Sequence, residues 1–181
     1  LGLITGDTVA AACSATDFLA LFFKGAKALG ALPESAADKL FVDVTPVDYA
    51  AKALVYLSLN GKADIYHIAN KQSLSLAGLA APLGLRRLPD DRWLELIRNK
   101  PLCMEETAAA LSLCRIFGDE EFARHRTMDL FQATDVAFDT READKILLPA
   151  GIVCPVADDR LVKLYAGHAL KNIGPAVKIC L

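Results

Sequence analysis

The sequence lacks a glycine-rich phosphate loop. None of its 11 glycines falls in G-x-G-x-x-G, G-x-x-G-x-x-G or a Walker pattern, the loops whose backbone amides cradle nucleotide phosphates. Phosphate binding by such a loop is therefore not encoded in these 181 residues. The turn at Thr5-Gly6-Asp7 could bring amides near an anion, but a plain turn is the favoured interpretation.

Long apolar runs and a basic excess are missing too. No apolar run reaches the roughly 18–20 residues that span a bilayer, and no signal segment stands at the start. Lys and Arg number 20 against 22 Asp and Glu, so the positive charge that nucleic-acid phosphates attract is absent. The sequence predicts a soluble chain with neither nucleic acid nor a membrane as a partner.

The five cysteines form no recognisable framework. They are odd in number, widely spread and without C-x-x-C spacing, which argues against a zinc site and a set of disulfides. We expect each to be a small buried hydrophobe and the protein to be cytoplasmic. The histidines His67, His125 and His168 are isolated in sequence, so no metal site is predicted.

Apolar residues are plentiful. They make up 54% of the chain, against about 45–50% in ordinary soluble domains. A chain of this length buries roughly two thirds of its unfolded surface. We therefore expect part of the apolar surface to face something other than the chain's own core.

The first seventy residues have an α/β pattern. The chain opens on a predicted strand, and a helix runs from Thr16 to a stop at Gly30. A strand over Lys39–Val44 leads into a helix from Pro46 to Leu59, and a second strand covers Asp64–Ala69. Strand, helix and strand in this order are typical of a mostly parallel sheet.

Two details of the second helix are predicted. Thr45 and Asp48 have capping-box spacing, with Pro46 suited to the first helical position. The buried face is expected to consist of Ala50, Ala51, Leu54 and Val55.

Helices dominate after Asn70, with almost no strands. The candidates cover the segments Asp90–Arg98, Met104–Phe117, Glu120–Phe131, Arg141–Leu148 and Asp158–Asn172.

Two charged or polar groupings invite functional interpretations. Tyr49 and Lys52 lie three apart, not at the Tyr-x-x-x-Lys spacing of short-chain dehydrogenases, so they are not assigned to catalysis. Arg86 and Arg87 precede an acidic pair and are interpreted as a solvated face, although arginines also suit a phosphate-bearing ligand. No catalytic residue is assigned.

Several blocks together resemble one family. They read L-G-L-I-T-G-D, D-F-L-A-L-F-F-K-G-A-K-A-L-G-A-L-P, F-V-D-V-T-P-V-D-Y and G-I-V-C-P-V-A-D-D-R-L-V-K-L-Y. The resemblance is to the C-terminal part of the thioester reductase domains that terminate nonribosomal peptide and polyketide synthases, with aminoadipate and carboxylic acid reductases as relatives. It covers nearly the whole chain and is loosest over Leu102–Phe131.

The resemblance implies an α/β fold, the C-terminal portion of an extended Rossmann-like reductase. Residues 1–70 would be the end of the Rossmann-like domain, and 71–181 a mainly helical subdomain that binds substrate and pantetheine. Such enzymes use NADPH to reduce a thioester that a carrier protein holds on phosphopantetheine, and release an aldehyde or an alcohol. The expected partners are an acyl or peptidyl carrier protein and the upstream Rossmann half of the same polypeptide.

Site residues follow from the resemblance position by position. Gly2, Leu3 and Ile4 match the strand end beside the nicotinamide, and Thr5, Gly6 and Asp7 match the turn into the substrate cleft. The aromatic residues expected to border the acyl channel are Phe18 and Phe22.

The family's glycine-rich loop and Tyr-x-x-x-Lys helix lie upstream of the T-G-D block. The chain is therefore expected to be a fragment that neither binds NADP(H) tightly nor turns over. The alternative is a non-enzymatic module that binds a carrier protein or acyl-phosphopantetheine.

Overall fold

The computed structural model describes residues 1–101, 109, 110, 113 and 138–171. Short strands alternate with helices through the first hundred residues, and the remaining described segment is helical. The strands are β1 (Ile4–Thr5), β2 (Ala31–Pro33), β3 (Phe41–Asp43), β4 (Thr45–Pro46), β5 (Ser73–Ser75) and β6 (Arg86–Leu88). The helices are α1 (Phe18–Leu29), α2 (Glu34–Ala37), α3 (Val47–Asn60), α4 (Leu76–Ala80), α5 (Asp90–Asn99), α6 (Arg141–Leu147) and α7 (Asp159–Lys171).

The described strands form three separate pairs. β1 lies parallel to β4, with Ile4 opposite Thr45, and β2 lies parallel to β6. The third pair, β3 with β5, is antiparallel. Two of the pairs, β2 with β6 and β3 with β5, join residues before position 70 with residues after it. The predicted domain boundary between residues 1–70 and 71–181 stays a prediction.

The main core lies between α1, α7 and the short strands. Phe22, Phe23 and Trp93 are almost completely buried there, and the indole Nε1 of Trp93 donates to the carbonyl of Ala31 at 3.1 Å. A second, smaller cluster lies between α3 and α6 and includes Tyr49, Leu57 and Leu147.

The structure largely confirms the helix predicted from Thr16 to Gly30, which is α1. It begins after Asp17 and ends at Gly30, whose φ of 73° and N–H bond to the carbonyl of Ala26 form a left-handed C-terminal cap. Three further predicted helices are also present, those at Asp90–Arg98, Arg141–Leu148 and Asp158–Asn172. Each begins and ends within one residue of its predicted bounds. Most of the helix predicted at Met104–Phe117, and all of the one at Glu120–Phe131, lies outside the described residues.

The predicted strand over Asp64–Ala69 is wrong. The segment is not part of a ladder in the described structure; the N–H of Gly2 donates to the carbonyl of Ile68 at 2.8 Å. β-forming composition does not supply a neighbouring strand edge, which a ladder requires. The expectation of almost no strands after Asn70 is likewise wrong, because β5 and β6 lie there.

The capping box at α3 is also wrong. Thr45 is fully buried, and its hydroxyl accepts the N–H of Asn70 at 2.8 Å instead of capping the helix. Asp48 accepts the hydroxyl of Thr8 at 2.6 Å. Both side chains therefore hold distant backbone segments together.

The predicted buried face of α3 is wrong at three of its four positions. Ala50 is buried as expected, but Ala51, Leu54 and Val55 are exposed. The helix buries Tyr49, Ala50, Ala53 and Leu57. Both sides of α3 are apolar, so periodicity alone does not decide which one faces the core.

Candidate functional site

The end of β1 is fixed by the last described helix. Tyr165, on α7, donates its hydroxyl to the carbonyl of Gly6 at 2.6 Å and accepts the hydroxyl of Thr5 at 3.1 Å. Thr5 and Tyr165 are 5% and 4% exposed. Burial raises the pKa of Tyr165 to about 12, so its phenol is neutral and structural at physiological pH.

The turn after β1 is closed by the carboxylate of Asp7. One oxygen accepts the N–H groups of Val9 at 2.8 Å and Ala10 at 2.7 Å, and the other accepts that of Ala12 at 2.7 Å. These backbone hydrogen bonds, that from Ala10 first, lower the pKa of Asp7. The carboxylate is thus ionised and engaged within its own loop, and its proposed contact with substrate stays a prediction.

Gly6 is required by a close approach of the chain to itself. A Cβ at this position would lie 2.7 Å from the carbonyl oxygen of Ala11, inside any real Cβ contact. Ala11 itself has a φ of 55°, a left-handed conformation that is uncommon for alanine. The loop is therefore closed tightly on the strand end.

A small cleft opens beside this turn. The space between its walls is about 290 Å³, a figure that includes open solvent. Its walls are formed by Ile4, Thr5, Gly6, Ala11, Cys13, Asp17, Leu19, Ala20, Phe23, Tyr165 and Ala169. Most of these wall residues are apolar.

The cleft walls include three side chains with an ionisable group, Cys13, Asp17 and Tyr165, of which Asp17 accepts the N–H of Ser14 at 2.9 Å. Burial raises the pKa of the Cys13 thiol, and the proton of Tyr165 is engaged by Gly6. The walls can orient a bound group by their shape and by hydrogen bonds.

Thr5 and Gly6 line this opening, and their predicted contact with substrate stays a prediction. Phe18 and Phe22 are elsewhere: their rings stack 6.2 Å apart at 11°, and Phe22 is completely buried in the core. Phe23, the next residue, faces the cleft. Contact of Phe18 and Phe22 with substrate stays a prediction.

Gly2, Leu3 and Ile4, predicted to flank a nicotinamide, are packed against β3 and β4. The N–H of Leu3 donates to Asp43 Oδ2 at 2.9 Å, and a Cβ on Gly2 would lie 1.8 Å from that same oxygen. The N–H of Gly2 is likewise engaged, by the carbonyl of Ile68 at 2.8 Å. Their contact with a cofactor stays a prediction.

Tyr49 and Lys52 do not form a dyad. Tyr49 is 7% exposed and packs in the cluster with α6, whereas Lys52 is exposed. Burial raises the pKa of Tyr49 to about 12, the opposite of what a proton donor near neutral pH needs.

The remaining candidate groups are the arginine pair and the histidines. Arg87 forms an ion pair with Asp38, as expected of a solvated face. His67 is exposed and its ring lies 5.8 Å from that of Phe138; His125 lies outside the described residues. Within the described part of the chain no cluster of His, Cys, Asp and Glu could hold a metal ion, and no helix is both long and apolar enough to cross a membrane.

Sequence reasoning missed the residues that tie the site together. Tyr165 lies on an apolar stripe of α7, and its burial gives it the appearance of an ordinary core residue. Asn70 donates its side-chain N–H₂ to the carbonyls of Val44 at 2.8 Å and Pro155 at 3.0 Å. Asn70 is followed by the polar residues Lys71, Gln72 and Ser73, so its sequence neighbours gave no signal that its side chain is buried.

Known proteins share this architecture. A crystal structure of the terminal R domain from the myxalamid PKS-NRPS biosynthetic pathway superposes with a TM-score of 0.71 at 24% identity, over 93% of this chain and 42% of that one. An archaeal thiolation-reductase di-domain from a non-ribosomal peptide synthetase gives a TM-score of 0.67 at 18% identity, over 93% of this chain and 34% of that one.

Sequence comparison leads to the same group. A linear gramicidin synthase from Brevibacillus parabrevis is 27% identical over 169 residues, which is 88% of this chain and 3% of that protein. No family model matches the chain. The chain thus spans a small share of this curated relative and less than half of the two solved structures.

The fold is therefore that of the C-terminal part of the terminal reductase domains of PKS-NRPS systems. The resemblance to these domains and the predicted α/β fold class are both confirmed. The likeness to a gramicidin synthase supports an origin among nonribosomal peptide synthetases.

Proposed function

We propose that the chain is the substrate-side part of an NADPH-dependent thioester reductase. The parent enzyme would release a carrier-bound acyl or peptidyl thioester as an aldehyde or an alcohol. The observation that carries this proposal is the fold shared over 93% of the chain with a terminal R domain, together with the apolar cleft at the T-G-D turn.

NADPH would supply the hydride, and the groups that hold its phosphates would lie outside these 181 residues. The chain's own residues would shape the substrate side. Tyr165 and Asp7 hold the turn after β1 rigid, and the apolar walls exclude water from the acyl chain. The 181 residues alone are proposed to be inactive.

A carrier protein is proposed as the partner that delivers the substrate. One structural relative is a thiolation-reductase di-domain, in which a carrier and a reductase are part of one chain. Delivery on a phosphopantetheine arm would account for a cleft with mostly apolar walls and few polar groups.

The test compares the complete gene product with the 181-residue chain. Both are mixed with NADPH and an acyl-pantetheine thioester, and NADPH absorbance and aldehyde formation are recorded. We expect turnover by the complete product and none by the chain alone. Turnover by the chain alone would contradict the proposed inactivity, and a complete product that binds acyl-pantetheine without oxidising NADPH would favour the non-enzymatic module.

A further inference from the structure

Helix α3 has apolar residues on two opposite sides. Tyr49, Ala50, Ala53 and Leu57 are buried. At 100° per residue, a second set of side chains falls within an arc of about 140° on the other side. The apolar members of this set, the outer face of α3, are Val47, Ala51, Leu54, Val55 and Leu59; Asp48 and Ser58 fall within the same arc.

The outer face is open in the described structure. Leu54 is 56% exposed, Val55 60% and Leu59 78%. The helix has two charged residues, Asp48 and Lys52, and Asp48 is engaged by Thr8. Surface helices carry charged and polar residues on the side that faces water, whereas helices that are apolar all round are buried.

The strands next to α3 also indicate that this part of the molecule is normally covered. α3 packs beside β1 and β4, which form a parallel pair with two residues in each strand. Parallel strands occur almost only in sheets that are covered on both faces, and an isolated two-stranded sheet is marginal in water. The strand pair and the outer face are thus both suited to a larger α/β unit.

We propose that the outer face of α3 is the surface on which the remaining part of a terminal reductase domain packs. The inference rests on the proposed function, because the occupant is another part of the same enzyme. In the myxalamid R domain more than half of the chain lies outside the shared part, so a folded partner of the right kind exists in a relative. The occupant is expected to present a mainly apolar surface, since Asp48, within the same arc, is engaged by Thr8 and Lys52 lies at the edge of the arc.

A second copy of the chain fits this surface less well. Two copies in contact through α3 would bury one face of a 14-residue helix from each. Stable dimers bury about 800 Å² per partner, more than the five apolar side chains of the outer face supply.

Thiol labelling tests the inference with a matched pair of variants. Val55 and Val153 are the same residue type and are both 60% exposed, but Val153 lies outside α3. Val55→Cys and Val153→Cys are each made in the 181-residue chain and in the complete gene product. Maleimide labelling is followed by tandem mass spectrometry of the peptides, which assigns the label to a single residue and so distinguishes position 153 from the adjacent native Cys154.

We expect labelling at position 55 to be at least about tenfold slower in the complete product than in the 181-residue chain, because a packed side chain reacts only when the contact opens. Labelling at position 153 should be equal in the two. Leu59→Cys serves as a second variant on the outer face, in case Val55→Cys does not fold.

Equal labelling at position 55 in both forms would overturn the inference. Slow labelling of the 181-residue chain that accelerates on dilution would also overturn it, in favour of a second copy. Labelling needs no turnover, so protection at position 55 without NADPH oxidation would refute the proposed function and leave a packing surface in place.

Discussion

The N–H of Asn70 donates to the hydroxyl of Thr45 at 2.8 Å, and both residues are buried. The same hydroxyl donates to Asp43 Oδ2 at 3.2 Å, which also accepts the N–H of Leu3. A single side chain therefore joins the first residues of the chain, β3 and the segment after α3.

Thr45→Val should destabilise the protein. The shape is kept, but a buried N–H and a carboxylate each lose a partner, which costs about 1–3 kcal/mol. Thr45→Ser keeps the hydroxyl and should cost less. Urea unfolding of both variants measures the difference, and a serine variant as unstable as the valine variant would show that the methyl group matters more than the hydrogen bonds.

Tyr165→Phe should also destabilise the protein by about 1–3 kcal/mol, because the carbonyl of Gly6 and the hydroxyl of Thr5 lose a buried partner. Tyr56→Phe is the control, since the hydroxyl of this partly buried tyrosine has no hydrogen bond to any described residue. Equal urea midpoints for the two variants would contradict the structural role of Tyr165.

Two helical glycines should respond to alanine in opposite directions. A Cβ on Gly25 would lie 2.8 Å from the carbonyl oxygen of Ala109, and overpacking of about 1–3 kcal/mol exceeds the gain of up to about 1 kcal/mol in helix propensity. A Cβ on Gly167 would have no neighbour within 4 Å among the described residues. Gly167→Ala should therefore stabilise by about 0.5–1 kcal/mol.

Thermal unfolding of the two alanine variants provides the measurement. A stabilised Gly25→Ala would mean that α1 can move away from residue 109 at little cost.

Stability should fall at alkaline pH. Burial raises the pKa of the Cys154 thiol from 9.0 to about 11, and the pKa values of Tyr49 and Tyr165 from 10.0 to about 12. The unfolded chain loses these protons first, so the folded state binds more protons and is disfavoured as pH rises. The contribution is fully present below about pH 9 and is lost as pH rises through about 11 and 12.

Urea midpoints recorded from neutral pH to about pH 11 check this trend. Cys154→Ala should flatten the part of the fall that begins near pH 9. A midpoint that stays constant over the whole range would contradict the buried, neutral state of these three groups.

The sequence predicted local elements better than their partners. The end of α1 at Gly30 followed from a glycine that takes a positive φ, a purely local cause. The role of Thr45 could not be predicted in this way, because its partner Asn70 lies 25 positions away. No local pattern encodes that pairing. The capping-box spacing offered a nearer partner that the tertiary structure does not use.

The site was predictable only where local chemistry shapes it. The T-G-D turn was found from its residue types, whereas Tyr165 was not, since 159 positions separate it from Gly6. On α3, Leu54 and Val55 match the periodicity of a buried face as well as Ala53 and Leu57 do. Which face is buried depends on neighbours that periodicity does not contain.

The contact between Tyr165 and Gly6 also bears on the order of events during synthesis. The first strand leaves the ribosome long before its anchoring helix, and at about 5–20 residues per second the delay lasts roughly ten to thirty seconds. Contacts of such long sequence separation form slowly because a large loop must close first. The cleft at the T-G-D turn is therefore completed only after α7 has been synthesised, and until then the end of β1 lacks the partner that Tyr165 provides.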